Sequence, residues 1–231
     1  MKRKKVELLA PAGNLDKLKT AFAFGADAVY VGIPDFSLRV RINDFTIEGI
    51  AEAVAYAHKI GKRLYVTVNI FAHNEHLNKL PAHIEKLKAI KVDGVFISDP
   101  AVMIIIKKIW PQANIVLSTQ ANCTNWLAAE YWHQQGIKRV ILSRELSLAD
   151  IKEIKKRIPK LEVECFVHGA LCMAYSGRCF LSKYFTDRNA NLGDCVQPCR
   201  WKYNVYLAEE NKKNDFIKLI EEEHGSYILN S

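Results

Sequence analysis

No stretch of this 231-residue chain is apolar for long enough to span a bilayer. The longest apolar run, AVMIIIKKIW, is broken by Lys107 and Lys108. No leader-like segment opens the sequence, so a cytoplasmic protein in a reducing compartment, without a membrane partner, is expected. The chain also lacks a G-x-S-x-G elbow, an H-E-x-x-H zinc helix and a phosphate-binding glycine loop. Their absence argues against a standard serine or zinc hydrolase.

The remaining composition is that of an ordinary globular chain, 49% hydrophobic and 25% charged. Its length suffices to bury one large core. The formal net charge is +8, and it is uneven. From Ala208 onward there are six acids and three bases, so the part before it carries about +11. Such a surplus raises the prospect of a nucleic-acid partner, although lysines on solvated helix faces would give the same count. The basic run 2–5 (KRKK) reads as a solvated terminus.

Short β-rich runs alternate with amphipathic segments. The strands expected are VELLA (6–10), AVYVG (28–32), RLYVTVN (63–69), GVFIS (94–98), NIVLS (114–118), RVILS (139–143) and VECFV (163–167). Helices are expected at 15–24, 47–60, 77–89, 101–109, 125–134 and 148–157. Seven β units without a change of composition indicate an α/β fold, a (β/α) TIM-barrel-like parallel sheet with a cysteine-rich loop after the seventh strand. Barrel chemistry sits where strands end. Those ends carry Asn14, Tyr30, Gly32, Asn69, Ser98, Asp99, Ser118, Gln120, Asn122, Ser143, Arg144, Glu145 and His168, with Arg39 and Arg41 after the second strand. Asn14, Asp99 and Ser147 are read as helix caps. Arg144 and Glu145 are either a loop-holding ion pair or a substrate contact.

Cys172, Cys179, Cys195 and Cys199 fall within 28 residues, as Cys-x6-Cys-x15-Cys-x3-Cys. Thiolate is a soft ligand, and four can enclose an iron–sulfur cluster or a zinc ion. The spacing is neither a ferredoxin run nor a zinc-ribbon pair. Gly169, Gly177, Gly193 and Pro198 allow the tight turns needed to wrap a compact inorganic core. Unrelated buried thiols and disulfides remain alternatives, zinc is a stronger one, and iron–sulfur is preferred. Cys123 and Cys165 are expected to be buried small hydrophobes. Lys183, Arg188, Arg200 and Lys202 flank the nest and suit either phosphates or solvent. Tyr175, Tyr184, Phe185 and Trp201 suit base stacking or, the preferred reading, loop packing.

The opening ELLAPAGNLDKLKTAFAFGADAVYVG and the run ECFVHGALCMAYSGRCFLS resemble the collagenase-like peptidase family U-thirty-two. YFTDRNANLGDCVQPCRWKY is similar to the tRNA hydroxylase branch of that family. The resemblance implies a 4Fe–4S cluster ligated by Cys172, Cys179, Cys195 and Cys199. It implies oxygen-independent RNA hydroxylation, most directly of a tRNA wobble uridine to 5-hydroxyuridine, with prephenate as a small-molecule hydroxyl donor and an unassigned electron donor. The family name implies the alternative, a collagenase-like peptidase. The signature also covers Glu164, His168, Tyr175, Ser176, Gly177 and Arg178. Strand ends and signature together make His168, Arg144, Glu145 and Glu164 the candidate catalytic set, and Asn14, Tyr30, Asn69, Gln120, Asn122, Tyr175 and Arg178 the candidate substrate contacts.

Residues 1–207 are expected to form the barrel-like domain, including the cysteine nest at 164–201. Residues 208–231 are expected to begin a C-terminal region that continues in the tRNA hydroxylase branch and is cut short here, or supplied by a partner chain. Late strands are expected at WKYNVYL (201–207) and SYILN (226–230), with NKKN (211–214) as an exposed turn.

Overall fold

A computed structural model describes residues 6–38, 43–169, 171–208, 210–211 and 216–219. Arg39, Arg41, the basic run 2–5, most of NKKN and the expected strand at 226–230 lie outside these residues.

The alternation seen in the sequence becomes seven parallel strands separated by six helices. They run β1 (Leu9–Pro11), α1 (Leu15–Ala23), β2 (Ala28–Gly32), α2 (Ile47–Lys59), β3 (Arg63–Val68), α3 (Asn74–Ala89), β4 (Gly94–Ile97), α4 (Pro100–Ile109), β5 (Ile115–Leu117), α5 (Trp126–Gln134), β6 (Arg139–Ile141), α6 (Leu148–Arg157) and β7 (Glu162–Glu164). Spatial order follows chain order from β1 to β7. Each strand registers in parallel with the next, for example Tyr30 with Tyr65 and Phe96 with Val116. The helices start where caps satisfy their first N–H groups. Thr46 accepts from Gly49 N at 3.1 Å, Asp99 from Ala101 N at 2.8 Å ahead of Pro100, and Ser147 forms a capping box with Asp150. Asn14 likewise caps α1 through Lys17 N.

Alternate strand residues face opposite sides, and both sides are covered. The outward set, including Val29, Val31, Leu64, Val66, Val95, Ile97, Leu117 and Val140, packs under the apolar stripes of the helices. In α2 that stripe is Ile50, Ala53, Val54 and Ala57, all buried at helical spacing. The inward set is Ala28, Tyr65, Phe96, Val116 and Ile141, with Leu9 and Tyr30 packed against it. One inward cluster drawing on six consecutive strands shows that the sheet curls into a half-barrel. Gly94 makes room for it, because a Cβ there would lie 2.7 Å from Asn114 O and 3.0 Å from the Tyr65 ring.

The strand starts carry charge. Arg139 donates to Glu7 Oε1 at 2.7 Å and to Glu162 Oε2 at 2.9 Å, and Glu7 also pairs with Arg63. This network ties the first residues of β3, β6 and β7 to the segment before β1.

After β7 the regular alternation stops. A short helix, α7 (Leu181–Thr186), and several single turns carry the cysteines, and β8 (Val205–Ala208) pairs antiparallel with β9 (Phe216–Leu219). The expected strand at 201–207 is shorter and shifted, and the expected boundary at 207 falls within β8. Neither α7 nor β9 was expected, since neither has the length to show a period.

Candidate functional site

The inward residues change character one step up each strand. Tyr65 is followed by Thr67, Phe96 by Ser98, Val116 by Ser118 and Ile141 by Ser143, all buried. A period-two pattern therefore builds a polar layer over an apolar floor at the C-terminal mouth. Asn69 Nδ2 donates to Ser118 Oγ and to Gln120 Oε1, each at 3.3 Å, and Ser98 Oγ donates to Asn69 O at 2.9 Å. Ser118 also bonds Gln120. Ser37 and Thr67 share a bond of 2.8 Å.

The cysteine module is stitched to this layer. Ser176 N donates to Glu145 Oε1 and Ser176 Oγ to Asn122 Oδ1, both at 2.6 Å, and Ser143 Oγ lies 3.0 Å from Ser176 Oγ. Ser176 and Asn122 both hold left-handed backbone, with φ of 49° and 59°, a conformation unfavourable for serine that these bonds help to hold. Arg178 donates twice to Gln120 O, at 3.0 and 3.3 Å, with its guanidinium 5.3 Å from the Phe71 ring. Asn191 closes the other side, accepting from Phe71 N at 3.2 Å and from Cys179 N at 3.0 Å.

Within the module the sulfurs accept hydrogen bonds. Leu181 N donates to Cys179 Sγ at 3.4 Å, and Gln197 N to Cys195 Sγ at 3.4 Å. Ser182 Oγ donates to Cys195 Sγ at 3.6 Å. Donors aimed at sulfur favour thiolates and tune a bound centre. Burial pushes the Cys199 thiol up, and the like charges of Cys172, Cys195 and Cys179 add to the shift against the pull of Arg200. Cys199 thus lies within electrostatic reach of the other three thiols, and soft ligands of this kind can hold a metal ion or an inorganic cluster. Among the described residues, the only three His, Cys, Asp or Glu donors within 4.8 Å of one another are His73, Glu75 and His76. The two histidines are engaged otherwise. His76 Nδ1 accepts from His73 N at 3.0 Å, and the rings cap α3 reciprocally.

The structure brings Asn69, Gln120, Asn122, Glu145 and Arg178 together at the mouth. Asn14 stands apart, bonded to Lys17 N and to Asp44, and Tyr30 sits beside Phe96 on the inner face, ring centroids 5.8 Å apart. Glu164 is also inside the half-barrel. Burial pushes its carboxyl up to about 7, against the pull of Arg139. Its Oε2 has no hydrogen-bond partner among the described residues, and the Arg139 guanidinium lies 3.7 Å away. His168 and Arg144 line a groove of about 290 Å³ between β6 and the exit of β7. Arg144 lies 4.2 Å over the Phe166 ring. Tyr175 is exposed. Cys123 is buried as expected, with its thiol pushed up to about 11. Cys165 is not buried. It is exposed and lines the groove, because β7 ends at Glu164 and no helix covers the next residue. Ser143, Ser182 and Asn191 anchor the site, yet no role was expected of the last two. Single polar residues in turns carry no periodic signal.

A half-barrel of parallel strands whose polar mouth holds a four-thiol module defines an α/β barrel-type protein with one chemical face. Residues 13–231 match peptidase family U32, and the chain belongs to that family. It is 40% identical to tRNA hydroxylation protein P of Escherichia coli (strain K12), over 98% of this chain and 58% of that protein. It is 33% identical to a protein named collagenase from Porphyromonas gingivalis, over 86% of this chain and 50% of that one. The chain spans about half the length of these curated relatives. The solved U32 peptidase Mk0906 shares the fold, with a TM-score of 0.57 at 16% identity, over 70% of this chain and 67% of that one.

Proposed function

We propose that this chain is the barrel portion of an iron–sulfur-dependent, oxygen-independent RNA hydroxylase, acting on tRNA to form 5-hydroxyuridine. The observation that carries the reading is the four-thiol module over the polar mouth, with sulfurs receiving N–H and O–H donors. The relative named for tRNA hydroxylation and the basic charge supply the substrate class. Cys172, Cys179, Cys195 and Cys199 would hold the cluster, whose chemistry when bound is electron transfer or Lewis acidity. Replacing C–H by C–OH on the base is a two-electron oxidation. It balances if a small-molecule hydroxyl donor, for which prephenate is the candidate, exchanges its hydroxyl for that hydrogen and is reduced by the same two electrons. Glu145 fixes the Ser176 turn, Asn69, Gln120 and Asn122 offer amides at the mouth, and His168 is the exposed imidazole placed to move a proton. The setting would be the cytoplasm, and among the described residues no helix is long and apolar enough to cross a membrane.

A peptidase is the second reading, motivated by the family's name and the collagenase relative. Hydrolysis needs an activated nucleophile or a metal-bound water, and the thiols serve better as ligands. The test is iron and acid-labile sulfide content on protein purified without oxygen, followed by nucleoside mass spectrometry of tRNA from a deletion strain. About four irons per chain, lost in Cys199→Ala, with missing 5-hydroxyuridine restored by the gene, is the expected result. Peptide cleavage that survives iron removal, with normal tRNA in the deletion strain, would establish the peptidase instead.

A further inference from the structure

Among the described residues, the cysteine module presents an aromatic face that neither its own fold nor the half-barrel covers. Phe185 packs 6.1 Å from Trp201, 6.3 Å from Tyr203 and 5.1 Å from Tyr184, and the Trp201 and Tyr203 rings lie within 29° of parallel. The cluster is nonetheless open, with Tyr184 83% and Phe180 76% exposed and Phe185 and Trp201 near 40%. Burying these rings is worth more than burying any other side chain, so a face of this kind on a soluble protein marks a contact surface.

Its chemistry selects the partner. Each of three rings follows a cation directly in the chain: Lys183–Tyr184, Arg200–Trp201 and Lys202–Tyr203. Lys183 is neutralised by Asp187 at 2.6 Å, whereas Arg200 bonds the neutral amide of Gln197, within electrostatic reach of the Cys199 thiol, and Lys202 is exposed. Protein interfaces are depleted in lysine at their centres. Rings interleaved with cations are the composition of a single-strand nucleic-acid platform. The face also adjoins the thiols. Ser182, on the helix that carries Tyr184 and Phe185, bonds Cys195, and Tyr203 OH donates to Pro198 O, next to Cys199, at 2.7 Å.

We propose that Tyr184, Phe185, Trp201 and Tyr203 form a stacking platform for unpaired RNA bases beside the cysteine site, with Arg200 and Lys202 taking the adjoining phosphates. This rests on the RNA reading above. It predicts that the RNA is held single-stranded where it meets the module, as access to one base requires.

The test uses the full chain purified without oxygen, and fluorescence anisotropy of a labelled short single-stranded RNA and of its duplex. Trp201→Ala and Tyr184→Ala should each weaken single-strand binding about 5- to 150-fold, leave the duplex nearly unaffected, and keep the wild-type iron content and melting temperature. Trp201→Phe should bind within about threefold of wild type. Lys202→Ala should weaken both RNAs and lower the salt slope by about one. Since Tyr184 is so exposed, its variant stays informative if Trp201→Ala misfolds. Wild-type binding unchanged in the ring variants would overturn the platform and leave the RNA reading standing. Ring variants that alter oligomeric state but not RNA affinity would assign the face to a protein and overturn it equally. A wild-type chain that binds no RNA at low salt would sink both.

Discussion

The half-barrel and the cysteine module are held by different physics. From β1 to β7 the chain buries apolar side chains on both faces of the sheet, and its polar groups meet in a layer of short hydrogen bonds. From Cys165 to Tyr206 eight large apolar side chains besides the aromatic pair Phe185 and Trp201 stand well exposed, and order comes from individual bonds such as Ser176 to Glu145 and Asn191 to Cys179. The lesson is a division of labour. The barrel is stable by burial and can hold a rigid mouth, while the module rests on a few specific hydrogen bonds.

Breaking the barrel should therefore move global stability and leave the module's chemistry alone. Leu87→Ala, in the fully buried stripe of α3, should cost about 2–5 kcal/mol, read by urea unfolding, with iron per folded chain unchanged. The next largest effect is expected at Glu164. A carboxyl raised from 4.5 to about 7 by burial binds a proton more tightly in the folded chain than in the unfolded one. Its contribution is present below about pH 4.5 and is lost as pH rises towards 7. Relative to Glu164→Gln, the wild type should lose on the order of 3 kcal/mol across that window. Parallel stability curves for the two proteins from pH 4 to 8 would refute this.

Smaller changes sharpen the contrast from the other side. Glu145→Ala leaves the Ser176 N–H without its acceptor, a local cost of about 1–3 kcal/mol. Limited proteolysis should accelerate between residues 165 and 203 while the global unfolding midpoint stays put. Ser147→Ala, which removes the cap of α6, should lower stability by about 1 kcal/mol without changing proteolysis of the module. If Glu145→Ala shifted global unfolding as strongly as Leu87→Ala, the two regions would be one cooperative unit and the distinction would fail.

How much of this was legible in the sequence follows the same division. Strands ending in T-x-N or in x-Ser, such as YVTVN, GVFIS and RVILS, announce both the apolar floor and the polar layer, since alternation is a local property. Helix starts at Asn14, Asp99 and Ser147 are readable from cap chemistry, although α3 begins at Asn74, before its first apolar residue. The tie between Arg139 and Glu7 spans 132 positions, a separation no local pattern encodes. Inside the module the cysteines were conspicuous, but the turns that aim Ser182 and Asn191 at them follow from close packing of irregular backbone. Cys165 was misjudged because hydrophobicity says how a residue prefers to be placed and nothing about where a strand stops.

The charged network at the strand starts has a second consequence. Among the described residues β1 and β7 are the outer strands of the sheet, each only three residues long. A free strand edge invites a strand from another molecule to add to it and so seeds aggregation. Here β7 begins and ends in glutamates, and Arg139 on β6 pairs with both of them and with Glu7 in the segment ahead of β1. An incoming strand would set its side chains beside these carboxylates and would have to match or desolvate their charge. The residues that steady the curl of the sheet thereby also place charge on a short outer strand, the feature by which sheet edges resist non-specific pairing.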